Sequence, residues 1–147
     1  MNSKVRVAIA LTACLTMIGA SPAKAPAHKA RAPREVVMMA GQMQFKEMTP
    51  GVSKAVLWGN PLKGPYATIT RFSKGYKVAM HYHSHNIKAV VISGTFVYDS
   101  GSGEQRLGPG SYLFEPKGRH HTSGAGDDED CVFLEESDGP FDLIEVK

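Results

Sequence analysis

The 147-residue chain has room for one domain, and its formal net charge of +3 at pH 7 is unevenly placed: six of its 17 Lys and Arg precede Glu35, whereas all 14 Asp and Glu lie at or beyond it. From Glu35 onward, 11 basic residues face 14 acidic ones, which argues against a nucleic-acid-binding surface. The remaining stretch of about 110 residues suits one compact sandwich or barrel.

Lys4 and Arg6, a mostly apolar run from Val7 to Ala20 and small residues through Ala25 make the three-part pattern of a secretory signal. The run is short for a bilayer span. The expectation is therefore export, periplasmic or secreted, with cleavage after Ala23 and no stable membrane anchor. Leu11-Thr12-Ala13-Cys14 faintly resembles a lipoprotein box, but Leu15, Met17 and Ile18 keep the following residues apolar. Residues 24–34 are rich in Ala, Pro and basic side chains and read as a disordered tether, which includes His28. The expected organisation is a signal over 1–23, a tether over 24–34 and a folded domain over 35–147. Once the signal is removed, Cys131 is the single cysteine, so no intramolecular disulfide forms and the thiol is expected to be buried as a small hydrophobe.

Beyond Glu35, short runs rich in Val, Ile, Phe, Tyr and Thr alternate with Gly, Pro, Ser and Asp clusters, the pattern of an all-β domain. In chain order the expected strands are 36–39, 52–58, 66–72, 77–83, 89–98, 111–115, 131–135 and 143–146. Turns are expected at Gly59-Asn60-Pro61, Ser73-Lys74-Gly75, Ser100 to Gly103, Gly108-Pro109-Gly110 and Gly124-Ala125-Gly126. The acidic run Asp127 to Asp130 reads as a solvated loop.

Five of the six histidines fall in two clusters, His81-Tyr82-His83-Ser84-His85 and His120-His121. In a strand, the spacing of His81 and His83 turns both imidazoles to one face. Such a pair suits a transition metal; hydrogen-bonded core or surface histidines are the alternative at this point. Tyr82 and Met80 alternate with the pair and should face away.

The neighbouring residues extend the pattern. Gly75, five residues, His81, one residue, His83 and a later Gly94 resemble the first motif of the cupins. Gly110, five residues, Pro116, one residue, Gly118, two residues and His121 resemble the second. Flanking pieces, Trp58 to Pro61, Gly64-Pro65-Tyr66, Val90 to Gly94 and Gly108 to Tyr112, look like small cupins of unassigned function. The resemblance covers residues 55–146. It implies a single cupin domain, a jelly-roll type antiparallel β-barrel, with His81, His83 and His121 as ligands of one divalent ion (Fe, Zn, Mn or Ni). Two departures stand out. Cupins usually place a glutamate four or five residues after the second ligand histidine, where this chain has Ile87 and Lys88. The asparagine that usually ends the second motif is Ala125.

Three readings of the shell follow: a three-histidine centre like that of cupin thiol and diketone dioxygenases, a shell completed by His85, or a pocket that holds no ion. His120 should point away from His121, and Lys88 toward solvent. The function implied is a metal-binding cupin, either a dioxygenase-like enzyme acting on a small oxygenated or thiol substrate or a non-catalytic binding or sensing module. His120, Glu115 and Tyr112 are the candidate general bases, by nearness in sequence alone. The resemblance also implies a homodimer, paired by sheet-to-sheet packing or by exchange of residues 36–39.

Overall fold

The computed structural model describes residues 35–147. The expected signal, its cleavage site, the tether, Cys14 and His28 lie outside the described residues.

A 3-10 turn, Ala40–Gln42, precedes eleven strands. These are β1 Lys46–Thr49, β2 Val52–Gly59, β3 Tyr66–Phe72, β4 Lys77–Tyr82, β5 Ile87–Ser93, β6 Phe96–Asp99, β7 Gln105–Leu107, β8 Tyr112–Glu115, β9 His121–Ala125, β10 Cys131–Ser137 and β11 Ile144–Glu145. They form a six-stranded sheet, in the order β1-β2-β3-β10-β5-β8, and a five-stranded sheet, in the order β11-β4-β9-β6-β7. Every strand pairing is antiparallel.

The expectation of a closed barrel is overturned. The two sheets stay open, with β1 and β8 as free edges of one and β11 and β7 as free edges of the other. No hydrogen-bonded ladder joins them among the described residues. Three of the edge strands run to only two, three and four residues, too short to carry a ladder around a corner. Inward–outward alternation of side chains is the same for an open sandwich and a closed barrel, so the sequence pattern did not separate them.

The strands form where the apolar period is 2. β10 alternates buried and half-buried side chains along its whole length, and β3 is buried over its first five residues between β2 and β10. The run expected as one strand over 89–98 is two strands in different sheets. Gly94, at φ +72°, turns the corner, and a Cβ there would lie 2.3 Å from the Asp130 carbonyl oxygen. Residues 124–126 were expected to turn, yet Gly124 and Ala125 end β9; Gly124 is small because the Tyr76 carbonyl oxygen passes 2.3 Å from where its Cβ would be. Residues 36–39 are not a strand, and Val36, Val37 and Met39 stand exposed. β1, β7 and β9 were not anticipated, being short and poor in large apolar residues.

The space between the sheets has two ends. Phe72, Phe96 and Phe133 meet in edge-on and stacked contacts at 4.9–6.0 Å, packed with Ala89, Val91 and the buried Cys131. Burial, with the charge of Glu129, pushes the Cys131 thiol up to about 12, so it is an inert core residue, as expected. The other end is polar. Glu135 on β10 is buried and accepts hydrogen bonds from Lys54 Nζ at 2.8 and 2.9 Å, from Thr70 Oγ1 at 3.0 Å and from the Tyr66 hydroxyl. Lys54 Nζ also lies 3.9 Å from the centre of the Phe141 ring. Burial by itself would raise the Glu135 pKa, but the Lys54 charge and the converging donors outweigh it and hold the carboxyl below its ordinary value.

Two outcomes follow from this packing. Gly94→Ala forces a Cβ onto the 130–131 backbone at a left-handed φ and should cost more than about 1 kcal/mol, read as a lower urea midpoint at unchanged slope. Because the folded pKa of Glu135 is depressed, its contribution is present above the unfolded value of 4.5 and is lost as pH falls through the folded pKa. Glu135→Gln should therefore destabilise by about 3–5 kcal/mol at pH 7 by leaving Lys54 buried without its counter-charge. The Lys54→Met/Glu135→Leu double variant should recover most of this and lose less stability than the wild type between pH 5 and 3, by urea unfolding at each pH.

Candidate metal centre

His81 lies near the end of β4, His83 one residue past it, and His121 opens β9. His81 and His121 are direct cross-strand partners, next to a register irregularity between Val78 and His81 that re-aims the end of β4. All three rings are buried, with relative exposures of 2, 9 and 1 %. Their centroids are 4.1 Å apart for His81–His121, 5.0 Å for His81–His83 and 5.4 Å for His83–His121. One nitrogen from each falls within 4.8 Å of the other two. The triad is therefore placed to coordinate one divalent ion.

The hydrogen bonds around the rings decide which nitrogen is available. His81 Nδ1 is 2.7 Å from the Ala79 carbonyl oxygen, His83 Nδ1 is 2.5 Å from that of Asp142, and His121 Nδ1 is 3.0 Å from that of Arg119. A carbonyl only accepts, so each Nδ1 carries the hydrogen and each Nε2 keeps its lone pair. Three neutral imidazoles with their outer nitrogens engaged by backbone are the donor set that zinc and related ions take.

Burial lowers the His81 pKa to about 4, so this ring is neutral at pH 7 without an ion's help. Burial also disfavours a charged His121, but Glu115 overrides it and raises the pKa. Glu115 Oε1 stands 2.8 Å from His121 Nε2, and protonation of that nitrogen would turn the contact into an ion pair.

The loop carrying His83 is tied down from two directions. Ser84 donates its backbone N–H to Asp142 Oδ1 at 2.9 Å, and Asn86 donates its own to Asp138 Oδ1 at 3.0 Å. From the second motif, Gly118 N–H donates to the His83 carbonyl at 2.8 Å and Lys117 N–H to Asn86 Oδ1 at 3.0 Å. Asn86 thus joins both motifs to the C-terminal segment.

The other histidines stand apart. His85 lies in the turn before β5, its ring against Gly139, and is not among the convergent donors. His120 is exposed and stacks on Tyr82 outside the cavity. Met80 is exposed, as expected. Of the three candidate bases, Tyr112 is 61 % exposed and only Glu115 is buried in the cavity. Ile87 lines the same cavity, whereas Lys88 faces outward, so only Ile87 occupies a position from which a first-motif glutamate would reach the centre.

The cavity between the sheets has a volume of about 910 Å³ and holds the triad, Glu115 and the Lys54–Glu135 pair among apolar walls that include Val52, Phe72, Val78 and Phe133. Phe141 links its two polar regions, 5.7 Å from His83 and under Lys54. Lys54, Tyr66 and Glu135 were not anticipated. Their one signal was three polar residues on inward positions of otherwise apolar strands, and that becomes informative only once strand register is known.

Among solved structures, the fold is similar to the polyketide cyclase RemF from Streptomyces resistomycificus, with a TM-score of 0.65 and 18% identity over 78% of this chain and 87% of that one. It is also similar to KdgF from Halomonas sp., with a TM-score of 0.58 and 21% identity over 68% and 92%. The complex of Rhodobacter sphaeroides SigE with the anti-sigma ChrR matches with a TM-score of 0.56 and 22% identity over 68% of this chain and 51% of that one. These likenesses establish an RmlC-like cupin fold. No curated protein matches the chain. The family model for the ChrR cupin-like domain matches residues 19–139. The chain therefore belongs to the family of ChrR cupin-like domains.

Proposed function

We propose that this cupin holds one divalent metal ion on His81, His83 and His121 and uses it to bind and act on a small oxygenated or thiol compound in the cavity between the sheets. The observation that supports this most directly is the convergence of three buried imidazoles: each sets Nδ1 against a backbone carbonyl, and one nitrogen from each lies within 4.8 Å of the other two. The ion, one of Fe, Zn, Mn or Ni, supplies Lewis-acid or redox chemistry when bound. The chain's own residues supply the rest: apolar walls that exclude water, and an ammonium at Lys54, held by Glu135, across Phe141 from the triad. An ion on these three imidazoles would have room to take a substrate oxygen or sulfur as well, a dioxygenase-like arrangement. RemF, a polyketide cyclase, shares the fold and is consistent with turnover in such a cavity.

A non-catalytic binding or sensing role is the second reading. It is favoured by the family match and by the likeness to ChrR, an anti-sigma protein in complex with SigE. Export of the chain belongs to the same proposal and rests on the signal-like residues 1–23. A second copy is the proposed protein partner, paired through the exposed Val36, Val37 and Met39; light scattering of wild type and a Val36→Asp/Val37→Asp variant checks it.

Elemental analysis of protein purified without added metal should find one divalent ion per chain. His81→Ala, His83→Ala and His121→Ala should each abolish it, whereas His85→Ala and His120→Ala retain it. Chelation should lower the unfolding temperature of the wild type, because an ion present at a hundredfold its Kd contributes about 2.7 kcal/mol. An oxygen electrode with diketone and thiol compounds separates the two roles: uptake that requires the triad marks an enzyme, and binding of a compound without its conversion or O₂ uptake marks a sensor.

A further inference from the structure

We infer that Glu115 is a fourth ligand of this centre, so that the ion is held by three imidazoles and one carboxylate, with the carboxylate delivered by β8 rather than by the strand and loop that carry His81 and His83. The inference rests on the metal-binding reading above and deepens it.

Two acceptor atoms face each other at the edge of the triad. His121 gives its Nδ1–H to the Arg119 carbonyl, so Nε2 presents a lone pair. Glu115 Oε1 lies 2.8 Å from that nitrogen and is itself an acceptor. Two lone pairs at this separation need something positive between them, either a proton shared by the pair or a metal ion bound by both, and metal titration with infrared spectra separates the two. Glu115 is not among the donors that lie within 4.8 Å of one another, so to share an ion with all three imidazoles its carboxylate must turn from His121 toward the triad.

The surroundings offer Glu115 little else. The side chain is 6 % exposed, and Oε1 is buried without a hydrogen-bond donor. A buried carboxylate left in that state is costly, and it persists where something positive compensates it. The buried ammonium in the same cavity, Lys54, is engaged by both oxygens of Glu135. The positive partner that fits Glu115 is an ion shared with His121. A carboxylate in the set also lowers the charge of a bound dication to +1 overall and favours harder ions such as Mn or Fe over a purely imidazole site.

Register explains how the carboxylate arrives. Glu115 is the direct cross-strand partner of Ile87 on β5, and both side chains line the cavity. Side chains directly opposite one another on an antiparallel pair share a face, with Cβ atoms about 4.5–5.5 Å apart. A carboxylate at residue 87 would therefore enter the same space from the neighbouring strand.

The test exploits that pair. Full-length protein, stripped with chelator, is titrated calorimetrically with Zn²⁺ and with Mn²⁺, and the urea midpoint of each metal-free variant is measured alongside. Glu115→Gln, which keeps shape and removes charge, should weaken both ions by at least about tenfold, Mn²⁺ more than Zn²⁺. Glu115→Leu should do the same, and adding Ile87→Glu to it should return the affinity to within about threefold of wild type. In wild type, infrared difference spectra on Zn²⁺ addition should show a carboxylate band shift that Glu115→Gln lacks, which tests the inference without relying on the folding of the leucine variants. Equal affinities for wild type and Glu115→Gln would overturn the fourth ligand and leave the three-histidine site standing. Weakened binding that Ile87→Glu does not restore, with no carboxylate shift in wild type, would make Glu115 only a hydrogen-bond partner of His121 and overturn the inference. A wild type that binds neither ion would overturn both it and the reading on which it rests.

Discussion

A carboxylate enclosed between two sheets must be matched by positive charge, and this molecule encloses two of them. Glu135 is matched entirely from within the chain: a lysine, a tyrosine and a threonine converge on its oxygens, and its pKa is held down despite its burial. Glu115 is matched only by an imidazole whose hydrogen is committed elsewhere. The contrast separates a finished polar cluster, which stabilises the fold, from one that a proton or an ion would complete.

The same cavity serves both clusters because the sheets face each other without closing. Its far end is filled by Phe72, Phe96 and Phe133, which fix the spacing between the sheets. Its near end is walled by His81 and His121 on the five-stranded sheet, by His83 just past β4, and by Lys54, Glu115 and Glu135 on the six-stranded sheet. A ligand bound there would touch both sheets, so its binding depends on their separation as well as on the metal. The C-terminal segment contributes to this. Through Asp138 and Asp142 it holds the loop after His83, and through Phe141 it reaches under Lys54.

The use of backbone carbonyls to orient all three imidazoles has a chemical consequence. Carbonyls are neutral and fixed, so they set the tautomer without adding charge. The two polar clusters also differ in what acid does to them. Protonation costs the Lys54–Glu135 cluster its ion pair, whereas at the triad protons compete for the same lone pairs that a metal would use.

Much of this was legible in the sequence. Period-2 alternation between Gly- and Pro-rich turns marked the domain as all-β, and the spacings around His81, His83 and His121 marked the three histidines that the structure brings together. Those signals are local, carried by neighbours along one strand or by a turn of fixed length. The open sandwich, the roles of Lys54 and Glu135 and the arrival of a carboxylate from β8 were not legible, because each depends on which strand lies beside which and in what register. Lys54 and Glu135 are 81 residues apart in sequence. Reading along the chain shows Ile87 where a glutamate was expected; only the pairing of β5 with β8 shows that a buried carboxyl, Glu115, stands directly opposite it.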